Sequence, residues 1–199
     1  MKIGVLGTGQ VGGAVGQKLA ALGHEVMLGS RDPSAKAALF PQLRVGTIVE
    51  AAAYGEWVVN ALPGEQSLVE LRKCAIEGKI LIDIGNYDIA VDQPIVTPLG
   101  EAIQREHPGV RVVKTLNSVS AHLMVNPAAL TSGHSVFIAS NDADAKSQVE
   151  TLLRSFGWQD VIDLGDLKAC RAMEQLIPLW MSLESKIGNP HFNLAVVRT

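Results

Sequence analysis

Lys2-Ile3-Gly4-Val5-Leu6 runs directly into Gly7-Thr8-Gly9-Gln10-Val11-Gly12, and Gly13-Ala14-Val15-Gly16-Gln17-Lys18-Leu19-Ala20 follows. The first stretch has the pattern of a short buried strand and the last that of a helix. Between them stands G-x-G-x-x-G. A glycine hexamer alone says little, but a strand before it and a helix behind it specify a phosphate-binding turn. Gly7 permits the tight turn, Gly9 leaves the backbone bare for a pyrophosphate, and Gly12 lets the helix pack on the sheet. The helix N-terminus then offers free N–H groups and a partial positive charge to an anion.

The same alternation continues outward from this unit. Apolar runs at Val26-Met27-Leu28, Trp57 to Leu62, Lys79 to Ile84, Arg111 to Leu116, Ser135 to Ala139 and Asp160 to Leu164 read as strands. Helical stretches lie between most of them, the βαβα rhythm of a parallel sheet covered on both faces. Arg44 to Thr47 is a weak strand before a short Ile48-to-Tyr54 helix; Glu65 to Glu77 reads as a helix stopped by Gly78, and Leu99 to His107 as another. A polar, proline-bearing segment separates Asn86 from Leu99, and Asn126-Pro127 reads as a turn or helix start. Asp142 opens a helix that Gly157 ends, and Asp166 to Ile187 is helical, with Met173, Leu176, Ile177, Trp180 and Leu183 on one face and a kink expected at Pro178. The expected architecture is α/β: one Rossmann-like, doubly wound parallel sheet domain over residues 1–199, with a C-terminal helical tail from about residue 166. The apolar face of that tail suits either a cap on the core or a dimer seam.

The end of the second strand distinguishes two nucleotides. An NAD site places a carboxylate there for the ribose 2′-hydroxyl, whereas an NADP site places an arginine. Here Ser30-Arg31 stand at the strand end, with Asp32-Pro33 after them. Asp before Pro reads as an N-cap with proline in the first helical turn. Asp32 is therefore assigned to capping, leaving Ser30 and Arg31, with Lys36 as a third, to bind a 2′-phosphate. Charge-assisted hydrogen bonds contribute about 1.5–3 kcal/mol each, so two would favour NADP(H) by about two to four powers of ten.

Composition narrows the functional classes. The 199 residues are 47% apolar and 19% charged with a net charge of -3, which gives no footprint for nucleic acid or an anionic membrane. No apolar run is long enough for a spanning helix, and the opening strand, broken early by glycine, is not a leader peptide. Cys74 and Cys170 show no redox or metal spacing and read as packing thiols, which fits a reducing cytoplasm. No metal site is indicated.

Ligands of open parallel sheets bind beyond the carboxyl ends of the strands, where strand order reverses. That rule selects the glycine turn, Ala61-Leu62-Pro63-Gly64, Ile84-Gly85-Asn86 and Leu116-Asn117-Ser118-Val119-Ser120-Ala121-His122, the last carrying the one histidine expected near a nicotinamide. A nucleophile elbow, H-E-x-x-H and Tyr-x-x-x-Lys are all absent, so no catalytic acid–base residue is assigned. Lys114, the donor an imine or ketone reductase would want, falls inside a strand. The pattern suits hydride exchange between two planar rings that the protein mainly orients.

Gly7 to Gly12 with Leu22-Gly23-His24-Glu25-Val26 and Gly29-Ser30-Arg31 resemble the NADPH-dependent coenzyme F420 reductase family, which shares its nucleotide fold with STEAP metalloreductases. Lys114-Thr115-Leu116-Asn117 and Glu174-Gln175-Leu176-Ile177-Pro178-Leu179-Trp180 extend the resemblance over nearly the whole chain. It implies NADP(H) as cofactor, hydride exchange with a deazaflavin or similar planar acceptor such as a flavin, and a homodimer built partly through the C-terminal helices. By motif, Thr8, Gly9, Gln10 and Val11 would hold the pyrophosphate on the turn that Gly7 permits, and Ser30 and Arg31 the 2′-phosphate, to which the reading of the strand end adds Lys36. Leu62, Asn86 and Ala121 would line the nicotinamide, and Asn117, Ser118 and Val119 the receiving ring. The alternatives are a reductase of the pyrroline-carboxylate or hydroxyacid type, and a non-catalytic NADP(H) sensor.

Overall fold

A computed structural model describes residues 1–88 and 97–198. The strands are β1 (Lys2–Leu6), β2 (Glu25–Ser30), β3 (Arg44–Thr47), β4 (Trp57–Asn60), β5 (Ile80–Asp83), β6 (Arg111–Thr115), β7 (Ser135–Ser140) and β8 (Asp160–Asp163). They form one sheet in the order β3-β2-β1-β4-β5-β6-β7-β8. Chain order runs outward from β1 to β3 on one side and from β4 to β8 on the other, so the direction of winding reverses between β1 and β4. Every neighbouring pair is parallel except β6 and β7. The expected doubly wound sheet is present, with that one antiparallel pair in place of a wholly parallel arrangement.

The helices are α1 (Gln10–Ala21), α2 (Pro33–Ala37), α3 (Ile48–Tyr54), α4 (Gln66–Leu71), α5 (Leu99–Glu106), α6 (Ala121–Val125), α7 (Ala143–Phe156) and α8 (Cys170–Ile187). Alternate strand residues feed two cores. Ile3, Val5, Val59 and Ile82 pack with α1 and α7, whereas Leu6, Val58, Leu81 and Val112 pack with α3 and α5. Fully burying such a side chain contributes about 1.5–3 kcal/mol, enough to fix strand register on both faces.

Local signals placed several elements. Asp32 accepts from the Ala35 N–H at 3.0 Å, as a cap before Pro33 should. Thr47 and Glu50 cap each other reciprocally at the start of α3, and Asp142 caps α7, which Gly157 closes with φ 108°. The expected Glu65–Glu77 helix is shorter. Leu71 and Ile76 are both fully buried, yet five positions lie about 140° apart around a helix. The chain therefore leaves the helix after Leu71 and turns to bury both. A short 3-10 helix over Pro127–Ala129 follows Asn126, and another over Leu167–Ala169 precedes α8. The proline-bearing segment after Asn86 lies mostly outside the described residues.

Candidate functional site

A cleft of about 1110 Å³ opens at the carboxyl edge of the sheet, across the point where the winding reverses. Its floor is the turn from β1 into α1. Gly7 sits at φ 113°, and a Cβ there would lie 2.7 Å from the Ala61 carbonyl oxygen. A Cβ on Gly12 would lie 2.1 Å from the Gly7 carbonyl oxygen, so glycine is required for the helix to begin this close to the strand. Gly9 is different: its Cβ would meet nothing within 4 Å. The backbone at Gly9 faces unfilled space in the cleft. Gly9 gives α1 no side-chain cap, and the first turn carries no acidic residue. The N–H groups and positive end of the helix macrodipole are left for an anion.

Ser30, Arg31 and Lys36 line the far end of the cleft, beyond β2. Ser30 is 6% exposed, and its Oγ accepts from the Asp32 N–H at 3.1 Å. The serine hydroxyl proton is thereby left to donate outward. Arg31 is exposed, and among the described residues neither Arg31 nor Lys36 has a carboxylate partner. Asp32 also borders the cleft, with its carboxylate engaged by the α2 cap. The residues present thus fit a dinucleotide carrying a 2′-phosphate: bare backbone at the floor, and two unpaired cations with a hydroxyl donor at one end.

The other end is formed by loops after β4 and β5 and by α8. Leu62, Asn86, Tyr87, Ile177 and Met181 are among its lining residues. Asn86 donates to the Asn117 carbonyl at 2.8 Å, and Asn117 donates to the Asn86 Oδ1 at 3.0 Å and to the Met173 carbonyl at 2.8 Å. This closed amide pair joins the loop after β5 to the loop after β6 and to α8. Leu116 adopts φ 61° just before Asn117, a left-handed conformation that a bulky residue holds only when its surroundings impose it.

Beneath the amide pair lies a buried ionic cluster. Lys114 Nζ is 2.8 Å from both Asp83 Oδ2 and Glu174 Oε1, and all three side chains are 0% exposed. Asp83 Oδ1 accepts from the Asn60 amide at 2.9 Å and the Gly85 N–H at 3.1 Å. Glu174 accepts from the Leu99 N–H at 3.0 Å. Burial opposes the charge on Lys114, but the Asp83 and Glu174 carboxylates outweigh it and hold the ammonium above its ordinary range. Burial pushes the Glu174 carboxyl up, against the attraction of Lys114. Burial likewise raises the neighbouring Cys170 thiol far above its usual range, and both cysteines are free.

The structure therefore gathers Gly7, Thr8, Gly9, Gln10, Val11, Ser30, Arg31, Lys36, Leu62 and Asn86 around one cleft. Ala121, Asn117, Ser118 and Val119 do not line it. The last three are 5–6% exposed, and Val119 packs into the core. Asn117 backs the wall that Asn86 presents. His122, expected near the nicotinamide, is instead exposed and stacked on His191, with Nε2 and Nδ1 3.1 Å apart. The reason is local: the short α6 turns it outward onto the C-terminal segment. Lys114 is sealed in its ion pairs and does not reach the cleft. Sequence reading missed Asp83, Asn60 and Glu174, as well as the reach of α8. The spacing Glu174, Ile177, Met181 carried that signal, because positions i, i+3 and i+7 share one helix face.

Fold and cleft place the chain among doubly wound dinucleotide-binding proteins. Residues 2–87 match the family described as NADP oxidoreductase coenzyme F420-dependent. The F420-dependent NADP reductase of Methanothermobacter marburgensis is 30% identical over 94% of this chain and 93% of its own. A crystal structure from Arthrobacter sp. FB24, assigned as an F420-dependent NADP-reductase, is 43% identical with a TM-score of 0.92, each chain covered completely. Metalloreductase STEAP3 of Rattus norvegicus is 29% identical over 90% of this chain, which spans only 38% of that protein. The chain belongs to the family of F420-dependent NADP oxidoreductases.

Proposed function

We propose that this protein exchanges a hydride between NADP(H) and a planar acceptor, a deazaflavin or flavin, held against the nicotinamide. The carrying observation is the cleft itself, with bare glycine backbone at its floor, paired donors for a 2′-phosphate at one end and an apolar wall at the other. Bound NADPH supplies the hydride. The chain's own part is to bind and orient. Gly7, Thr8, Gly9, Gln10 and Val11 hold the pyrophosphate through backbone N–H groups and the α1 macrodipole. Ser30, Arg31 and Lys36 select the 2′-phosphate.

Leu62 and Asn86 border the nicotinamide, and Ala121 supports that side from the start of α6. Asn117, Ser118 and Val119 fix the wall against which the receiving ring lies. No side chain needs to transfer a proton to a planar ring acceptor in this scheme. With Lys114 buried and fully paired, that lysine cannot serve as the proton donor of an imine or ketone reductase. We further propose a cytoplasmic homodimer joined through α8, whose outward Leu179 and Ile187 are 51% and 48% exposed. Among the described residues no helix is long and apolar enough to cross a membrane.

The test is NADPH oxidation against F420, FMN, a ferric chelate and a panel of carbonyls and imines, beside NADPH binding by calorimetry. Turnover with the planar rings is expected. Turnover with carbonyls or imines alone refutes the proposal, and tight binding with no turnover on any acceptor makes the protein a nucleotide sensor.

A further inference from the structure

Beyond Glu174 no residue of α8 is fully buried; Cys170, Met173 and Glu174 are its only buried positions. Yet Ile177 and Met181, on the Glu174 face, form part of the cleft wall. Met181 lies about 10 Å along the axis from Glu174, at 1.5 Å per residue. The helix is thus a lever held most firmly at its start; beyond it Leu176, Ile177, Trp180 and Leu183 are only half-buried, and Trp180 stacks on Phe192. What fixes it is specific. Glu174 meets Lys114 through Oε1, which also accepts from the Gly100 N–H at 3.4 Å, and accepts from the Leu99 N–H through Oε2; a Cβ on Gly100 would lie 2.6 Å from the Cys170 sulfur, so α5 and α8 meet at their starts with no slack.

A buried ion pair is poor evidence for a stabilising role, because hydrophobic replacements of similar volume often do as well or better. It does dictate geometry. Each oxygen of Glu174 has an assigned partner, and a rotation of α8 would strip Lys114 of one of its two carboxylates and leave the Leu99 N–H unpaired in a dry interior. We propose that Glu174 is a positioning residue, which clamps α8 to Lys114 and α5 and so sets how closely the Ile177–Met181 face approaches a bound acceptor. The proposal rests on reading that face as the acceptor end of the cleft. Glu174 acts on acceptor binding without touching acceptor or nucleotide, since the phosphate-holding turn lies between β1 and α1, away from the lever.

The test compares the wild-type protein with Glu174→Gln, which keeps the side-chain shape but puts an amide NH₂ where one acceptor oxygen stood. Amide hydrogen exchange across residues 175–187 is expected to quicken by about tenfold, with exchange in β1 and α1 unchanged. The acceptor KM is expected to rise by about tenfold, while kcat and the NADPH Kd stay within about twofold. Unchanged exchange in α8, or an NADPH Kd that weakens in step with the acceptor KM, overturns the proposal. Should Glu174→Gln fail to fold, the Ile177→Ala/Met181→Ala double variant carries the kinetic arm. It leaves the clamp intact, and must raise the acceptor KM with normal exchange, or the wall has no part in acceptor binding. If the wild-type protein reduces no planar acceptor, the functional proposal falls, and the exchange measurement alone decides whether Glu174 is the clamp.

Discussion

Arg31→Ala separates the two nicotinamide nucleotides. In the structure the Arg31 guanidinium is exposed at the cleft mouth and has no carboxylate partner among the described residues. Its removal therefore leaves no buried charge behind and disturbs no packing. A charge-assisted hydrogen bond contributes about 1.5–3 kcal/mol. Two such bonds from one guanidinium to a phosphate would approach the upper end of the range expected from sequence alone. Exposure lowers that value, because solvent screens a surface ion pair strongly. We take about 1.5–3 kcal/mol for the whole side chain, which is a loss of about one to two powers of ten in NADPH affinity.

NADH lacks the 2′-phosphate, so its affinity should change by less than about twofold. Titration calorimetry with both nucleotides, at 50 and 300 mM salt, measures this directly. The NADPH loss should shrink at the higher salt as screening weakens the wild-type contact. Ser30 supplies an internal control. Its Oγ already accepts from the Asp32 N–H, so Ser30→Ala removes one donor and also loosens the turn before α2. Equal losses of NADPH and NADH on Arg31→Ala would refute the assignment of Arg31 to the 2′-phosphate.

Three other perturbations follow from the same geometry. Gly9→Ala should leave the melting temperature unchanged, since its Cβ meets no protein atom, while weakening both nucleotides by about tenfold through contact with the pyrophosphate. Gly12→Ala should do the reverse. It forces a methyl against the Gly7 carbonyl oxygen and should cost about 2–4 kcal/mol in denaturant unfolding. Lys114→Met strands the Asp83 and Glu174 carboxylates in a dry interior and should destabilise by about 3–5 kcal/mol, read from urea midpoints; a loss of turnover at undiminished stability would instead make Lys114 catalytic.

The fourth is an acid transition. Bonds from Arg111 hold the Asp142 carboxyl down to about 2, against 3.8 for an unperturbed aspartate. A depressed carboxyl contributes stability that is complete above about pH 4 and is lost as pH falls toward 2. Asp142→Asn should flatten that part of the stability–pH curve, and a curve of unchanged slope would exclude Asp142 as its source.

The legible parts of the fold were those in which residues close in sequence settle the outcome. Strand, glycine turn and helix lie within one unit, and Asp32-Pro33 caps α2 from its own side. Thr47 and Glu50 meet across a single turn. The ionic cluster was illegible for the opposite reason. Asp83, Lys114 and Glu174 come from β5, β6 and α8, and no spacing rule pairs them until the sheet has formed. Lys114 could be placed in a strand, which argued against catalysis, but its partners could not be named. His122 failed similarly. The loop after β6 was legible as a loop, though its residues do not line the cleft, while the direction of the His122 side chain depended on a helix only five residues long and on His191 in the C-terminal segment. The length of α4 was lost to Ile76, whose burial is a tertiary demand that helix periodicity does not register.

These two modes of construction divide the cleft. Its proposed nucleotide end is made largely of backbone N–H groups, missing Cβ atoms and one helix macrodipole, with Ser30, Arg31 and Lys36 at one edge, all inside the residues 2–87 that match the family. Such a site depends on few side chains, so most substitutions leave it standing. Relatives about 30% identical over most of this chain carry names that differ in the second substrate, F420 in one and a metal in others. Its acceptor end is the converse: side chains on α8, a strained Leu116, and an amide pair resting on buried charges from separate elements. Changing one of these moves the wall without touching the phosphate cradle. The same fold can therefore keep its nucleotide while its acceptor changes, and the proposed clamp on α8 is where this chain would carry that freedom.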